Sequence, residues 1–145
     1  MKTVSALSFW QPYAWLIVEG HADVDSRMWA PVQSRIGTRI AVHSSKRKLT
    51  RAEYADFVRM MKELKIAKYP QSVDDFEYGA IVGSVVIAEV VKNSKSYWAA
   101  KGYFHWVLKA ARPHPPVPMK GQRGWFSVDL ALLRGLRLKE VDDDL

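Results

Sequence analysis

The pattern of apolar and polar positions predicts a chain that mixes strands and helices. Alternating or short continuous apolar stretches predict strands at residues 4–8, 38–45, 80–91, 103–109 and 125–129. The strongest of these signals is 80–91, which Gly83 interrupts once. The 38–45 stretch has the alternation of a half-buried strand. With the polar stretch 23–29 added, five or six strands are expected.

Two stretches have the periodicity and the end signals of helices. The first spans residues 10–20, where Pro12 suits the first turn and Gly20 suits the position after the last turn. The second spans 50–65 and begins at a capping box formed by Thr50 and Glu53. Both stretches have an apolar stripe at helical spacing, so each is expected to pack against the sheet.

Two further segments are less regular. A short helix is predicted at 94–102, and the prolines of 113–118 predict an extended loop. No internal repeat or interdomain linker interrupts the chain. The order of elements predicts the α+β class, as one small mixed β-barrel with flanking helices that spans residues 1–139.

The stretch 23–29 places polar chemistry on a predicted strand. Side chains alternate along a strand, so one face of this stretch is predicted to hold Asp23, Asp25, Arg27 and Trp29. That face is too polar for an ordinary core. Carboxylates able to activate water are Asp23, Asp25 and Glu89, the last on the polar side of the 80–91 strand. Alternatively, Asp25 pairs with Arg27 or caps a turn, and the sequence leaves both interpretations open.

Charge points to a polyanionic partner. The chain of 145 residues carries a net charge of +7, and the acidic tail 140–145 holds four of its 15 acidic residues, so the remainder carries +11. A surface this basic attracts nucleic acids and nucleotides. The alternative is a basic surface that only keeps the protein in solution. The tail itself is predicted to be disordered and solvated.

Other classes are excluded or not favoured by composition. The chain contains no cysteine, which excludes disulfides, thiolate metal sites and thiol nucleophiles. The four histidines lack the spacing of metal ligands, and no P-loop or dinucleotide glycine motif occurs, so no metal or cofactor is expected. The start of the chain lacks the regions of a signal peptide and no apolar run is long enough to cross a bilayer. We expect a soluble, cytoplasmic monomer.

Aromatic and basic side chains supply candidate contacts to a base or a phosphate. Trp10 and Trp29 are candidates for stacking on a base, with core packing as the alternative. Arg27 either holds an anion or neutralises Asp25. His43, at the end of a strand, is either a proton carrier or a structural histidine. Candidate phosphate contacts are Lys46, Arg47, Lys48 and Arg51, before a helix start with free amides, and Lys120 and Arg123, in a glycine-flanked loop.

Several of these residues belong to a longer signature. The run Leu7-Ser8-Phe9-Trp10-Gln11-Pro12-Tyr13-Ala14, followed by Gly20 and then 23–29, resembles the opening of the ASCH domain family, whose fold is similar to the PUA domain. The resemblance continues through 37–43, 78–83, 103–108 and 118–125. It implies a β-barrel with flanking helices and a cleft suited to a nucleobase or a nucleic acid.

The resemblance also implies a possible enzymatic activity and the residues that would carry it. Small bacterial members are amidohydrolases that remove the acyl group from N4-acetylcytidine, using a lysine, a threonine and a glutamate. The lysine position falls on Ala22 and the threonine position on Asp25. Because alanine has no base or proton carrier, activity is expected to be weak or absent. Either this protein naturally lacks the lysine-dependent chemistry, or alanine has replaced a lysine.

Three functional hypotheses follow. The first is hydrolysis of an N4-acylated cytidine in a cleft between the barrel and the helix at 12–19, lined by Asp25, Arg27 and Trp29. The second is nonenzymatic binding of single-stranded RNA or DNA. The third is RNA cleavage, which requires a general base such as His43 near Lys46.

Overall fold

The computed structural model describes residues 2–133, which form six strands and two α-helices. In chain order these are β1 (Thr3–Phe9), α1 (Tyr13–Val18), β2 (Val24–Arg27), β3 (Arg39–Ser44), α2 (Arg51–Glu63), β4 (Ala80–Val91), β5 (Phe104–Pro118) and β6 (Phe126–Asp129). Short 3₁₀ turns lie at Gln33–Arg35, Val73–Asp75 and Leu130–Leu132. The predicted acidic tail, 140–145, lies outside the described residues.

All six strands belong to one mixed sheet in the order β2-β5-β4-β3-β1-β6. β1 runs parallel to β3, and the other neighbouring pairs are antiparallel. The α+β class is confirmed. The predicted β-barrel is wrong, because the sheet is not closed: β2 and β6 lie at opposite edges and do not pair within residues 2–133. Each edge strand has only four residues, which leaves little length for closure.

The central strands are buried on both faces. Along β1, Ala6 contributes to one apolar cluster and Leu7 to the other; along β3, Ala41 and Val42 do the same. The larger cluster holds the buried side of α1 and, from α2, Phe57 and Met61. β3 is therefore wholly buried rather than half-buried as its alternation predicted.

The helix signals are confirmed in position and shortened in extent. α1 begins after Pro12 and ends before Gly20, whose φ of 79° is the left-handed conformation expected at a helix stop. α2 begins at the predicted capping box, in which the Thr50 side chain accepts from the Glu53 amide and the Glu53 side chain accepts from the Thr50 amide. These ends depend on local chemistry, which is why the sequence predicts them.

Two local predictions are wrong. No helix forms at 94–102, and the proline-rich stretch belongs to β5, where Pro113 aligns with Gly83 and Pro118 with Ala80 of β4. β2 covers β5 only at residues 104–107, so the proline stretch lies at a free edge of the sheet within the described chain. Proline fits there because an edge strand does not need every amide for its ladder.

Candidate functional site

A cleft of about 320 Å³ opens where β1 ends, α1 begins and β2 passes beside them. We call it the Trp10 cleft, and its lining residues are Ser8, Phe9, Trp10, Tyr13, Asp25, Ser26 and Arg27. Trp10 is 58% exposed and Tyr13 is 45% exposed, so both aromatic side chains are accessible to a ligand. The structure thus brings together three of the predicted site residues, Trp10, Asp25 and Arg27.

Asp25 and Arg27 form an ion pair on the floor of this cleft. They lie two apart on β2, which places both on one face, and Arg27 Nε is 2.5 Å from Asp25 Oδ2. Their side chains are only 17% and 20% exposed. Burial raises the pKa of Asp25, and the adjacent Arg27 charge partly opposes that rise. The pairing that the sequence left open is present, and it does not remove either residue from the cleft.

The Arg27 guanidinium is held among aromatic rings. Its central carbon lies 4.8 Å from the centroid of Phe9 and 5.4 Å from that of Trp106. Such contacts stabilise a cation whose hydration is reduced. The aromatic surroundings and Asp25 together fix the guanidinium plane, which favours recognition of a flat polar ligand.

A second guanidinium lies at the rim of the cleft. The Arg47 guanidinium is 4.3 Å from the Trp10 ring centroid, and its Nη2 donates to Glu53 Oε2 at 2.8 Å. The hydrogen bond from Arg47, together with that from the Thr50 amide, lowers the pKa of Glu53 to about 2. Arg47 is therefore held against Trp10 by a carboxylate that stays ionised.

His43 lies behind the cleft and is buried. Its Nδ1 is 2.8 Å from Ser8 Oγ, and its Nε2 is 2.9 Å from the carbonyl oxygen of Met119. A carbonyl only accepts, so we assign the ring proton to Nε2, which leaves Nδ1 to accept from the Ser8 hydroxyl. Burial lowers the pKa of His43, and the hydrogen bond to Met119 partly opposes this. Both ring nitrogens are engaged, so His43 reaches the cleft only through Ser8.

We expect this buried histidine to make stability depend on pH. A folded-state pKa below the ordinary value of about 6.5 means that the unfolded chain binds more protons just below that pH. Stability should therefore be intact above about pH 6.5 and fall as the pH drops toward the folded-state pKa, by up to about 1.4 kcal/mol per pH unit. Urea unfolding at a series of pH values checks this. His43→Gln should lack this contribution, and an identical pH dependence in both proteins would contradict it.

Ser8 is one of four cleft residues that sequence reasoning did not predict as site residues; the others are Phe9, Tyr13 and Ser26. Ser8 pairs in register with His43 across the parallel β1–β3 ladder, although the two residues are 35 positions apart in the chain. Only knowledge of that pairing would have linked them. Gln11, also missed, is buried and joins α1 to the loop before β4, because its Nε2 donates to the Glu77 carbonyl and its Oε1 accepts from the Trp15 amide.

The other predicted site residues of the stretch 22–29, namely Ala22, Asp23 and Trp29, do not line the Trp10 cleft. Ala22 is buried and lines a separate cavity of about 110 Å³ that also contacts Asp23. Asp23 accepts a hydrogen bond of 2.5 Å from Ser96 Oγ. Trp29 packs edge-on against Trp106 and is 38% exposed.

Glu89 is not brought to Asp25. The sheet register aligns Asp25 with Trp106 and Val90, whereas Glu89 aligns with Val107. Neighbouring residues in a strand point to opposite faces, so the exposed Glu89 lies on the face away from Asp25. The structure therefore separates these two predicted carboxylates.

The predicted phosphate contacts differ in their availability. Lys48 pairs with Asp74 at 3.2 Å on the surface, and Arg47 pairs with Glu53. The capping box already engages amides at the start of α2, so this helix end offers less to an anion than its sequence predicted. The other predicted cations are exposed, namely Lys46, Arg51, Lys120 and Arg123.

Within residues 2–133, no group of three His, Asp or Glu side chains is placed to hold a metal ion. None of the helices in that range combines the length and apolar character that crossing a bilayer requires.

Comparison with known proteins identifies the fold. ASCH from Zymomonas mobilis superposes with a TM-score of 0.52 at 12% sequence identity, covering 97% of this chain and 94% of that one. A mutant form of the same protein, ZmASCH, gives a TM-score of 0.51 at 13% identity, over 88% of this chain and 89% of that one. The chain has the ASCH fold. No protein-family model matches the sequence, and no curated protein matches it.

Proposed function

We propose that the protein is an ASCH-type amidohydrolase that binds an N4-acylated cytidine in the Trp10 cleft and removes its acyl group. The observation that carries this proposal is the cleft itself, which is lined by two exposed aromatic residues and a largely buried Asp25–Arg27 pair. The fold likeness to ASCH proteins and the sequence signature both support it.

The size and polarity of the cleft suit one nucleoside. Its volume of about 320 Å³ falls at the lower end of small-molecule sites, which favours a single base and sugar over a large ligand. Trp10 and Tyr13 offer aromatic faces for stacking on a pyrimidine. Asp25 is an acceptor for an exocyclic N–H, and Arg27 is a donor for a carbonyl oxygen or for the oxyanion of the tetrahedral intermediate.

The test is to incubate the full chain with N4-acetylcytidine and measure cytidine by chromatography. Trp10→Ala should lower kcat/KM about tenfold through the loss of stacking. Tyr103→Ala is the matched control, because Tyr103 is an exposed aromatic residue outside the Trp10 cleft. Absence of cytidine with the wild-type chain and with Ala22→Lys would rule out the proposed activity.

The Ala22→Lys arm also tests the prediction that Ala22 weakens the reaction. A rise in cytidine release above the wild-type rate would support a role for a lysine at this position. Because Ala22 lines a different cavity from Asp25, the structure favours little or no rise. The charge also enters a buried position, so folding of this variant is to be checked by thermal unfolding.

A second candidate function is binding of single-stranded RNA, and the observation that favours it is the Arg47 guanidinium against Trp10. A cation beside a stacking ring is the arrangement that holds a phosphate next to a base. Lys46 and Arg51, which are close to Arg47 in sequence, add two exposed basic side chains.

For this candidate we expect binding to weaken steeply with salt. Three phosphate contacts predict that raising salt from about 50 to about 200 mM lowers affinity for a single-stranded oligonucleotide about 20-fold. Fluorescence anisotropy measures it. Lys46→Gln should flatten the salt dependence, whereas Lys101→Gln, which removes an exposed lysine elsewhere, should leave it unchanged. A flat response in the wild-type protein would remove RNA binding as a function.

A further inference from the structure

Ser8 lines the Trp10 cleft and contacts a buried base. It lines the cleft together with Asp25 and Arg27. Its Oγ lies 2.8 Å from His43 Nδ1. A serine that lines a ligand-sized cleft and whose hydroxyl contacts an imidazole acceptor has the two features of an activated nucleophile.

The imidazole is fixed in the orientation that this role needs. Its Nε2 is tied to the Met119 carbonyl at 2.9 Å, which sets the tautomer and takes the place that a carboxylate occupies in a catalytic triad. The Phe126 ring stands edge-on to it, with 5.6 Å between the ring centroids. His43 therefore cannot rotate freely away from Ser8.

The loop after β5 closes tightly over this pair. At Gly121, a Cβ would lie 2.6 Å from Ser8 Oγ and 2.6 Å from His43 Cε1, which is too close for any larger residue without movement. The loop thus packs closely against the Ser8–His43 contact. A purely structural hydrogen bond could be packed as closely, but it would not need its serine to line the cleft.

Resting on the proposed function, we propose that Ser8 is the nucleophile of the acyl transfer and that His43 is its general base, so hydrolysis passes through an acyl-serine. Two structural features support this proposal, the position of Ser8 in the lining of the cleft and the contact of its hydroxyl with a fixed imidazole. The nucleophile is then supplied by β1 and its base by β3, and no lysine at position 22 is required.

The two half-reactions balance. Ser8 Oγ forms a bond to the acyl carbonyl carbon as its proton passes to His43 Nδ1. The carbon–N4 bond then breaks, and the same proton moves to N4, which releases cytidine. Water next attacks the acyl carbon and gives a proton to Nδ1, the ester bond to Oγ breaks, and Oγ recovers that proton as the carboxylic acid leaves.

The experiment treats the full chain with p-nitrophenyl acetate and locates any acetyl group by peptide mass spectrometry. We expect a burst of p-nitrophenol and an acetyl group on the peptide that contains Ser8. Ser8→Ala should abolish the burst, and His43→Gln should slow it at least 100-fold through the loss of the general base. Ser127→Ala, which removes an exposed serine on β6, is the matched control and should keep the burst.

Two additional measurements guard against a merely structural effect. Ser8→Cys keeps a nucleophile at the same place and should retain acetylation, which separates chemistry from loss of fold. The burst rate should be constant at neutral pH and fall at acidic pH, once His43 becomes protonated. A rate with no dependence on pH from neutral to acidic conditions would contradict a histidine base.

The outcomes separate this proposal from the proposed function. Acetyl-Ser8 without any cytidine release from N4-acetylcytidine would support the nucleophile and contradict the substrate. Cytidine release with no acetyl group on Ser8, or with undiminished turnover in Ser8→Ala, would overturn the nucleophile and leave the hydrolase activity in place. If neither reaction occurs in the wild-type protein, both proposals fail.

Discussion

Replacement of Arg27 by methionine is expected to lower the free energy of unfolding by about 3 kcal/mol and to abolish measurable nucleoside binding. Asp25 would lose its cation while its side chain stays only 17% exposed, and an uncompensated carboxylate in such a place typically costs about 3 to 5 kcal/mol. We take the lower end because some water reaches the pair. Methionine keeps apolar contact with Phe9 and Trp106, so the loss reports mainly on charge.

Urea unfolding and calorimetric titration with cytidine measure the two effects. Arg27→Lys keeps the charge but not the planar fork, so it should lose less stability than Arg27→Met while still binding cytidine weakly. In the double variant Asp25→Asn, Arg27→Met, the uncompensated charge is absent, and its loss should be smaller than the sum of the single losses. Additive losses would show that the pair makes no specific contribution.

The parts of this site that sequence reasoning predicts depend on local order. Asp25 and Arg27 share a face because strand side chains alternate, and that regularity can be applied without coordinates. The capping box at Thr50 is likewise local. For the same reason the opening signature, which runs from β1 into α1 and β2, predicts most of the Trp10 cleft.

The parts that sequence reasoning misses depend on register between distant strands. The Ser8–His43 contact exists because β1 and β3 are parallel with those two residues aligned, and a shift of one residue would turn Ser8 to the other face. The prediction that Glu89 lies near Asp25 is wrong for a related reason. The pairing of β4 with β5 is irregular, and its register leaves Glu89 on the face away from Asp25. Strand parity alone cannot follow such shifts.

The proline-rich half of β5 was wrongly predicted as a loop, for a different reason. Proline clusters predict loops because proline lacks an amide donor. In this sheet β2 is too short to cover that half, so Pro113 and its neighbours need no donor on the open side. Whether a strand is an edge depends on the length of its neighbour, which the sequence of the strand itself does not contain.

Replacement of Gly83 by alanine is the second change for which we expect a large effect, about 3 kcal/mol of stability. A Cβ at this position would lie 2.4 Å from the Arg112 carbonyl oxygen on β5 and 2.6 Å from Val18 Cγ1 on α1. Overpacking of this kind costs about 1 to 3 kcal/mol, and the upper end applies because the closest atom is backbone. Thermal unfolding should show a fall in Tm on the order of 10 °C.

The same substitution should weaken nucleoside binding, because relief of the clash moves α1, and α1 begins at Tyr13 in the wall of the Trp10 cleft.

The matched control is Val18→Ala, alone and combined with Gly83→Ala. Removing the valine methyl groups makes room for the new Cβ, so the double variant should lose at least about 0.5 kcal/mol less than the sum of the single losses. The Arg112 carbonyl stays in place, and the rescue is therefore expected to be partial. A Gly83→Ala protein as stable as wild type would contradict the close packing of α1 on β4, and with it the placement of Tyr13 in the cleft.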